Sequence, residues 1–197
     1  MENYKKNLEL LTKNHVYSKE MEHDACGVGL IASTEGKKSR AIVEYGIEAL
    51  KAVWHRGAVD ADGKTGDGAG IHVEIPKDFF IEKIQVTGHD YDNSEICVGM
   101  IFLPRNDYSA QESCKTIVES ELTKNNFSIY GWRQVPVNSK VLGEKALQTM
   151  PEIIQVLFKP NDPNLLDKNL ERKIYEIRKR IENKAFDASL NNFYICS

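Results

Sequence analysis

No two of the four cysteines stand close together, since positions 26, 97, 114 and 196 form neither a Cys-x-x-Cys pair nor the dense spacing of a small secreted disulfide scaffold. A reducing cytoplasm is therefore the expected compartment. Nor is there a transmembrane run, an internal repeat or a low-complexity tract. Within residues 1 to 25 the apolar cluster is only Leu8, Leu10 and Leu11, short of the roughly 7–15 residues of a secretion signal's apolar core. Charge of one sign is lacking too. The 26 basic and 29 acidic residues are well mixed and leave a net charge of −3, which provides no basic footprint for nucleic acid and no polybasic membrane patch. What remains is a chain of 197 residues, 41% hydrophobic and 28% charged, suited to one soluble domain with one good core or two small ones.

Against that background the stretch Met21 to Ala32 stands out, with Cys26 at its centre, Ala25 before it, Gly27 and Gly29 flanking Val28, and the apolar run Leu30-Ile31-Ala32 behind. The run reads as a buried strand with the thiol at its mouth. Glycines on either side keep the backbone thin, so that a substrate can approach the sulfur. On these residues alone Cys26 reads either as a nucleophile or as a small buried hydrophobe. His23 lies three residues upstream, but two isolated ligand types without further spacing partners do not make a metal site.

Further along, Gly36-Lys37-Lys38 reads as a turn and Ser39 as a helix N-cap. Val43, Ile47, Leu50 and Trp54 recur at helical spacing, the pattern of an amphipathic helix laid on a sheet and ending near His55. Ile71 to Ile75 alternates strictly and predicts a strand before Pro76, then Asp78 to Ile84 a short helix. Ile96 to Leu103 predicts a central strand buried on both faces, with Cys97 in the core. A helix over Ser109 to Lys124 places Cys114 in the core as well, with Asn125-Asn126 as its stop. Strands over Phe127 to Val137 and Ile153 to Phe158, a helix from Leu165 to about Lys184, and an apolar strand opening at Phe193 complete the chain. The fold class expected from this order is α+β.

Between the first helix and Ile71, the segment from Arg56 to Gly70 carries five glycines and three aspartates and almost no apolar side chain. Nothing in it makes core, so its backbone is held by other means or is mobile. A phosphate cradle is excluded, because Gly66-Asp67-Gly68-Ala69-Gly70 lacks a Gly-Lys-Ser/Thr ending and has an acid where an anion would bind.

Cys26-Gly27-Val28-Gly29, His55-Arg56-Gly57-Ala58, Ala61-Asp62 and Thr65-Gly66-Asp67-Gly68-Ala69-Gly70-Ile71, taken together, resemble one family. It is the glutaminase domain of glutamate synthase large subunits, a class II glutamine amidotransferase of the N-terminal-nucleophile hydrolase type. The likeness continues through Ile75-Pro76 with Phe79-Phe80, Gly131-Trp132-Arg133-Gln134-Val135-Pro136-Val137, and Asn192-Phe193-Tyr194-Ile195-Cys196-Ser197, so it spans nearly everything from Glu22 onward. The resemblance implies a four-layer αββα sandwich, incomplete at the C-terminus. It also implies residues 1–25 as a propeptide or N-terminal extension, and 26–197 as the N-terminal part of the amidotransferase domain.

The activity it implies is hydrolysis of glutamine to glutamate and ammonia, the ammonia then aminating 2-oxoglutarate. Cys26 is the implied catalytic residue. Arg56, Gly57, Asp67 and Gly68 are the implied substrate-binding positions, in a loop that walls the glutamine pocket. No metal is expected here; FMN and an iron–sulfur cluster belong to the full-length relatives. The implied partners are L-glutamine, the remainder of the large subunit, and a small NAD(P)H-oxidising subunit or ferredoxin. A free N-terminus at Cys26 suits the chemistry, because an α-amino group with a pKa of about 8 is a general base matched to a thiol of about 8.5.

Two other readings stand beside this one. One is a different N-terminal-nucleophile enzyme, such as a phosphoribosylamine-forming amidotransferase or an amide hydrolase. The other is a truncated module without activity of its own, expected because no Asn-Gly pair for the oxyanion occurs in the 197 residues. Under the resemblance Arg56 is the candidate for a charged group that orders the site by pairing with Asp62, Asp67 or the substrate carboxylate, the alternative being that it ties down the glycine-rich loop. Replacing it by lysine keeps the charge and loses the planar fork. Arg56→Lys should therefore lower glutamine-dependent ammonia release by roughly ten- to a hundred-fold, the equivalent of a charge-assisted hydrogen bond, while leaving the melting temperature unchanged. Unaltered kinetics would return Arg56 to a structural role.

Overall fold

The capping chemistry legible in the chain is realised at several helix ends. In a computed structural model that describes residues 6, 27–54 and 57–196, Ser39 caps helix α1 (Arg40–Ala52), its hydroxyl accepting from the Ala41 amide at 3.2 Å. Pro76, with φ −74°, opens α2 (Lys77–Val86). Asp107 caps α3 (Tyr108–Lys124) by accepting from the Ala110 amide at 2.9 Å, and the helix stops at Asn125 with Asn126 at φ 66°. The remaining elements are β1 (Cys97–Leu103), β2 (Phe127–Gln134), a 3-10 turn (Ser139–Val141), α4 (Glu144–Thr149), β3 (Glu152–Pro160), α5 (Asp167–Asp187) and β4 (Tyr194–Cys196).

The chain divides into two units, residues 1–58 with 68–71 and residues 59–67 with 72–197. The second contains a four-stranded antiparallel sheet in the order β2-β3-β1-β4, a mixed α+β architecture. Strand β1 runs CVGMIFL with residues 97, 99, 101 and 103 fully buried and the alternate positions half-buried. The expectation of a strand buried on both faces is thus corrected to one sealed face and one half-covered face. On the sealed face, Ile101, Ile154, Val156 and Ile195 pack against Cys114, Val118 and Leu122 of α3 and Leu170, Ile177 and Ile181 of α5. The α5 stripe falls at helical spacing, as its sequence demands. On the other face, Phe80 and Ile84 of α2 cover Tyr130 and Leu157.

Two features keep the strands in register. Gly99 lies so close to β3 that an added Cβ would sit 2.8 Å from Val156 Cγ1. A bulge between Ile129 and Gly131 interrupts the β2–β3 ladder, with Gly131 at φ +146°. One charged side chain is buried under α3: Glu121 is 4% exposed and is paired with Lys184 of α5.

In the first unit, α1 starts where expected, but none of its residues is buried; Val43, Ile47 and Leu50 are half-buried and Trp54 is exposed. Gly46 approaches Ile71 closely enough that a Cβ would lie 3.0 Å from its Cδ1. The strand expected over Leu30-Ile31-Ala32 is not formed: residues 27–33 have no ladder, and Val28 and Leu30 are 95% and 89% exposed. The strand expected over Ile71 to Ile75 is likewise absent, Ile71 and Val73 being exposed. The physical reason is the same in both places. Alternation or an apolar run supplies side chains for a sheet, but a strand exists only where a neighbouring backbone accepts and donates its hydrogen bonds. Among the described residues neither segment pairs with another strand. The turn read at Gly36-Lys37-Lys38 sits slightly earlier, closed by Gly36 N–H to Ser33 carbonyl at 3.2 Å with Gly36 at φ +65°.

These contrasts predict opposite outcomes for two truncations. Ile101→Ala, at a position with no exposure in the central strand, should cost about 2–5 kcal/mol in urea unfolding. Leu30→Ala should stay within about 0.5 kcal/mol; a cost as large as that at Ile101 would mean that Leu30 is buried after all.

Candidate active site

The glycine-rich loop is held by hydrogen bonds, not by burial. Val59 and Gly66 form an isolated antiparallel bridge, and the Asp60 amide donates to the Thr65 carbonyl at 2.7 Å. At the tip, Gly63 N–H donates to the Asp60 carbonyl at 2.9 Å and Gly63 takes φ +66°. That is the left-handed region which glycine enters without a Cβ penalty. Asp62 then turns its side chain back on the chain, as aspartates in turns do. Its Oδ1 accepts from the amides of Lys64 and Thr65 at 2.9 and 2.7 Å, and its Oδ2 accepts from the Thr65 hydroxyl at 2.5 Å.

The same carboxylate lies against a segment about 80 positions away in sequence, beside Gly143 and the Glu144 amide that open α4. These donors hold Asp62 well below the usual carboxylate range, the Thr65 hydroxyl first, then the amides of Thr65, Lys64 and Glu144. Beside this contact Lys145 Nζ pairs with Asp60 Oδ2 at 2.7 Å.

Of the positions expected to carry the chemistry, Cys26 and Arg56 lie outside the described residues. Gly57, Asp67 and Gly68 are exposed. The Gly57 amide closes the end of α1 by donating to the Trp54 carbonyl at 3.0 Å. Around Gly68 no atom lies within 4 Å of where a Cβ would stand, so its backbone is open to approach. Sequence reasoning singled out Asp62 only as a partner for Arg56 and missed its approach to Glu144 and the pairing of neighbouring Asp60 with Lys145. Asp-Gly-Lys-Thr signals a tight turn, but no local signal points to the segment that receives it.

The other thiols are unsuited to nucleophilic work. Burial pushes Cys97 up to about 12 and Cys114 up to about 11, and Cys196 is raised by burial as well. Among the described residues no group of three or more His, Cys, Asp and Glu side chains is arranged to hold a metal ion. These residues therefore do not fit an iron–sulfur cluster. A second polar cluster, Tyr130, Asp92 and Lys159, is mutually satisfied: Tyr130 Oη donates to Asp92 at 3.1 Å and Lys159 pairs with the same carboxylate. It ties the loop after α2 to the sheet.

The family model for glutamine amidotransferases class-II matches residues 26–197. The chain is 52% identical over 194 residues to the glutamate synthase [NADPH] large chain of Azospirillum brasilense, covering 98% of this chain and 13% of that protein. It is 39% identical over 193 residues to a ferredoxin-dependent glutamate synthase of Pyropia yezoensis, covering 95% of this chain and 12% of that one. To the glutamate synthase [NADH] of Saccharomyces cerevisiae it is 36% identical over 196 residues, with coverages of 94% and 9%. The chain thus spans 13% or less of the length of these relatives.

The buried thiols make a further check. Native protein treated with iodoacetamide near pH 8 should leave Cys97 and Cys114 unlabelled until denaturant is added. Both folded-state values lie above the unfolded one, so the stability these thiols contribute is complete below about pH 8.5. It should decline as pH rises toward 11 for Cys114 and 12 for Cys97. Rapid native labelling of either residue would contradict this.

Proposed function

We propose, for a chain that belongs to the class-II glutamine amidotransferases, that its reaction is hydrolysis of the glutamine side-chain amide with Cys26 as nucleophile. The observation that carries the reading is that the family match begins at residue 26, the cysteine itself. Support comes from the remaining thiols, whose burial keeps them protonated at neutral pH. Cys26 sulfur attacks the amide carbon, and the C–N bond breaks as its nitrogen takes a proton and leaves as ammonia. Water then opens the thioester, releasing glutamate and restoring the thiol. With residues 1–25 removed, the α-amino group of Cys26 is the base that receives and returns the proton.

Arg56, Gly57, Asp67 and Gly68 form the substrate-binding loop in this reading. Arg56 supplies a planar charged fork suited to a carboxylate, and Gly57 and Gly68 let the backbone come close to glutamine. The four-layer αββα sandwich belongs to this reading too, and the support for it is a mixed α+β unit with an antiparallel sheet and helices on its sealed face.

The names of the relatives extend the proposal to a longer protein in which the ammonia aminates 2-oxoglutarate. FMN and an iron–sulfur cluster would supply electron transfer from an NAD(P)H-oxidising subunit or ferredoxin, on parts of the protein other than the residues described. A cytoplasmic location fits the dispersed cysteines. No helix among the described residues is long and apolar enough to cross a membrane.

Treating the full-length protein with a glutamine-like diazo-ketone and mapping the adduct tests the assignment. The expected result is a single adduct on Cys26, at the N-terminus of the mature chain, with loss of ammonia release. Labelling at another cysteine while Cys26 stays unmodified would refute the nucleophile, and an active protein that keeps residues 1–25 would refute their removal.

A further inference from the structure

We propose that Asp62 is a positioning residue for glutamine binding, clasping the glycine-rich loop to the turn that opens α4. This rests on the reading that the loop carries the substrate contacts. A loop in which every residue from Gly63 to Gly70 except Thr65 is exposed cannot take its shape from burial. Its shape comes from backbone hydrogen bonds between Asp60 and Thr65 and from one carboxylate faced by four donors, the Lys64 amide, the Thr65 amide and hydroxyl, and the Glu144 amide. Three of those donors fold the loop on itself. The fourth, with the Lys145–Asp60 ion pair, fixes it to a distant segment of the same unit.

The receiving segment is shaped for the contact. Gly143 precedes α4 where a Cβ would stand 2.5 Å from the Thr65 amide nitrogen and nearer still to Thr65 Oγ1 and Asp62 Oδ2. Backbone cannot move aside as the tip of a flexible side chain can, so any side chain at 143 must lift the loop. Gly143 supplies no cap of its own, and α4 has no side-chain capping hydrogen bond from that position; the Asp62 carboxylate stands beside its first amide. The clasp ends at Thr65, two residues before Asp67 and three before Gly68. Releasing it frees the proposed substrate contacts while leaving the sheet core, which contains none of these residues, intact. The expected signature is therefore a loss of substrate affinity without loss of fold.

The test compares Asp62→Ala, the milder Asp62→Asn, and Gly143→Ala in the full-length protein, reading KM and kcat for ammonia release from glutamine, the melting temperature, and the rate of tryptic cleavage after Lys64. Asparagine retains a carbonyl for the internal turn but replaces one acceptor oxygen with a donor, so it separates turn formation from docking. The expected result is a KM for glutamine raised about ten- to a hundred-fold in Asp62→Ala and Gly143→Ala, with kcat within roughly twofold. Asp62→Asn should lie between these and the parent. Cleavage after Lys64 should speed up, melting should stay unchanged, and the Asp62→Ala/Gly143→Ala double variant should be no worse than either single one, because both remove the same contact.

Unchanged KM and cleavage in the single variants, or effects that multiply in the double variant, would overturn the clasp. So would a fall in melting temperature that accompanies an equal fall in kcat for all three, which is what a purely structural role produces. If the unsubstituted protein releases no ammonia and Cys26 resists the diazo-ketone, the glutaminase reading itself has failed and the substrate role of Asp62 falls with it. In that outcome faster cleavage after Lys64 would still report the clasp as a structural contact.

Discussion

Strand β1 is the element on which the larger unit depends, because it is hydrogen-bonded on both sides, by β3 in full register and by β4 over three residues. Pairing on both sides at Met100 to Phe102 lets the backbone of the strand's middle be buried at low cost. Its alternate residues then become available as packing surface. Ile101 and Leu103 meet the helices α3 and α5, and the close approach of Gly99 to Val156 draws β3 against it. The helices are shaped to that face: the buried positions 170, 177, 181 and 185 of α5 are separated by seven, four and four residues, the stripe that a helix on a flat apolar surface presents. Even the buried carboxylate of Glu121 is placed where α5 can bring Lys184 to it, which avoids the cost of a lone buried charge.

The loop attached to this framework follows a different physics. It has almost no apolar side chain to bury, and its conformation is a small network of hydrogen bonds, several of them to aspartate side chains. Asp62 is the clearest instance. Hydrogen bonds of this kind define direction sharply and contribute modest stability, which suits the substrate contact proposed for this segment. Function on this framework then becomes a matter of which side chains the loop carries, not of how much surface it buries.

The candidate site was unevenly legible. Cys26 was visible as a thiol between Ala25 and the Gly27-Val28-Gly29 run, and the exclusion of Cys97 and Cys114 followed from their places in apolar periodic segments, which the burial of both bears out. The loop's motifs were legible as chemistry, since aspartates and glycines at that density serve no core. The partnership of Asp62 with Glu144 was not legible. Its two halves are separated by two helices and two strands, and nothing in the local pattern of either half encodes the meeting. The strands expected at Leu30 to Ala32 and Ile71 to Ile75 failed for a related reason. Alternation reports what a side-chain face would do in a sheet, and the backbone partner is a tertiary matter.

By itself, the sequence determined those features whose causes are local. The cap at Ser39, the stop at Asn125-Asn126, the strand Cys97–Leu103 and the stripe of α5 each depend on residues within a few positions of one another. Motif spacing likewise determined the family, because short runs such as Thr65-Gly66-Asp67-Gly68 carry their identity without reference to the fold. Only the tertiary structure decided the strand order β2-β3-β1-β4, which face of β1 is sealed, and the docking of Asp62 on the segment after Gly143. Each of these joins residues far apart in the chain, and such contacts are chosen by the collective fit of packed surfaces and satisfied hydrogen bonds, a quantity no short window of sequence contains.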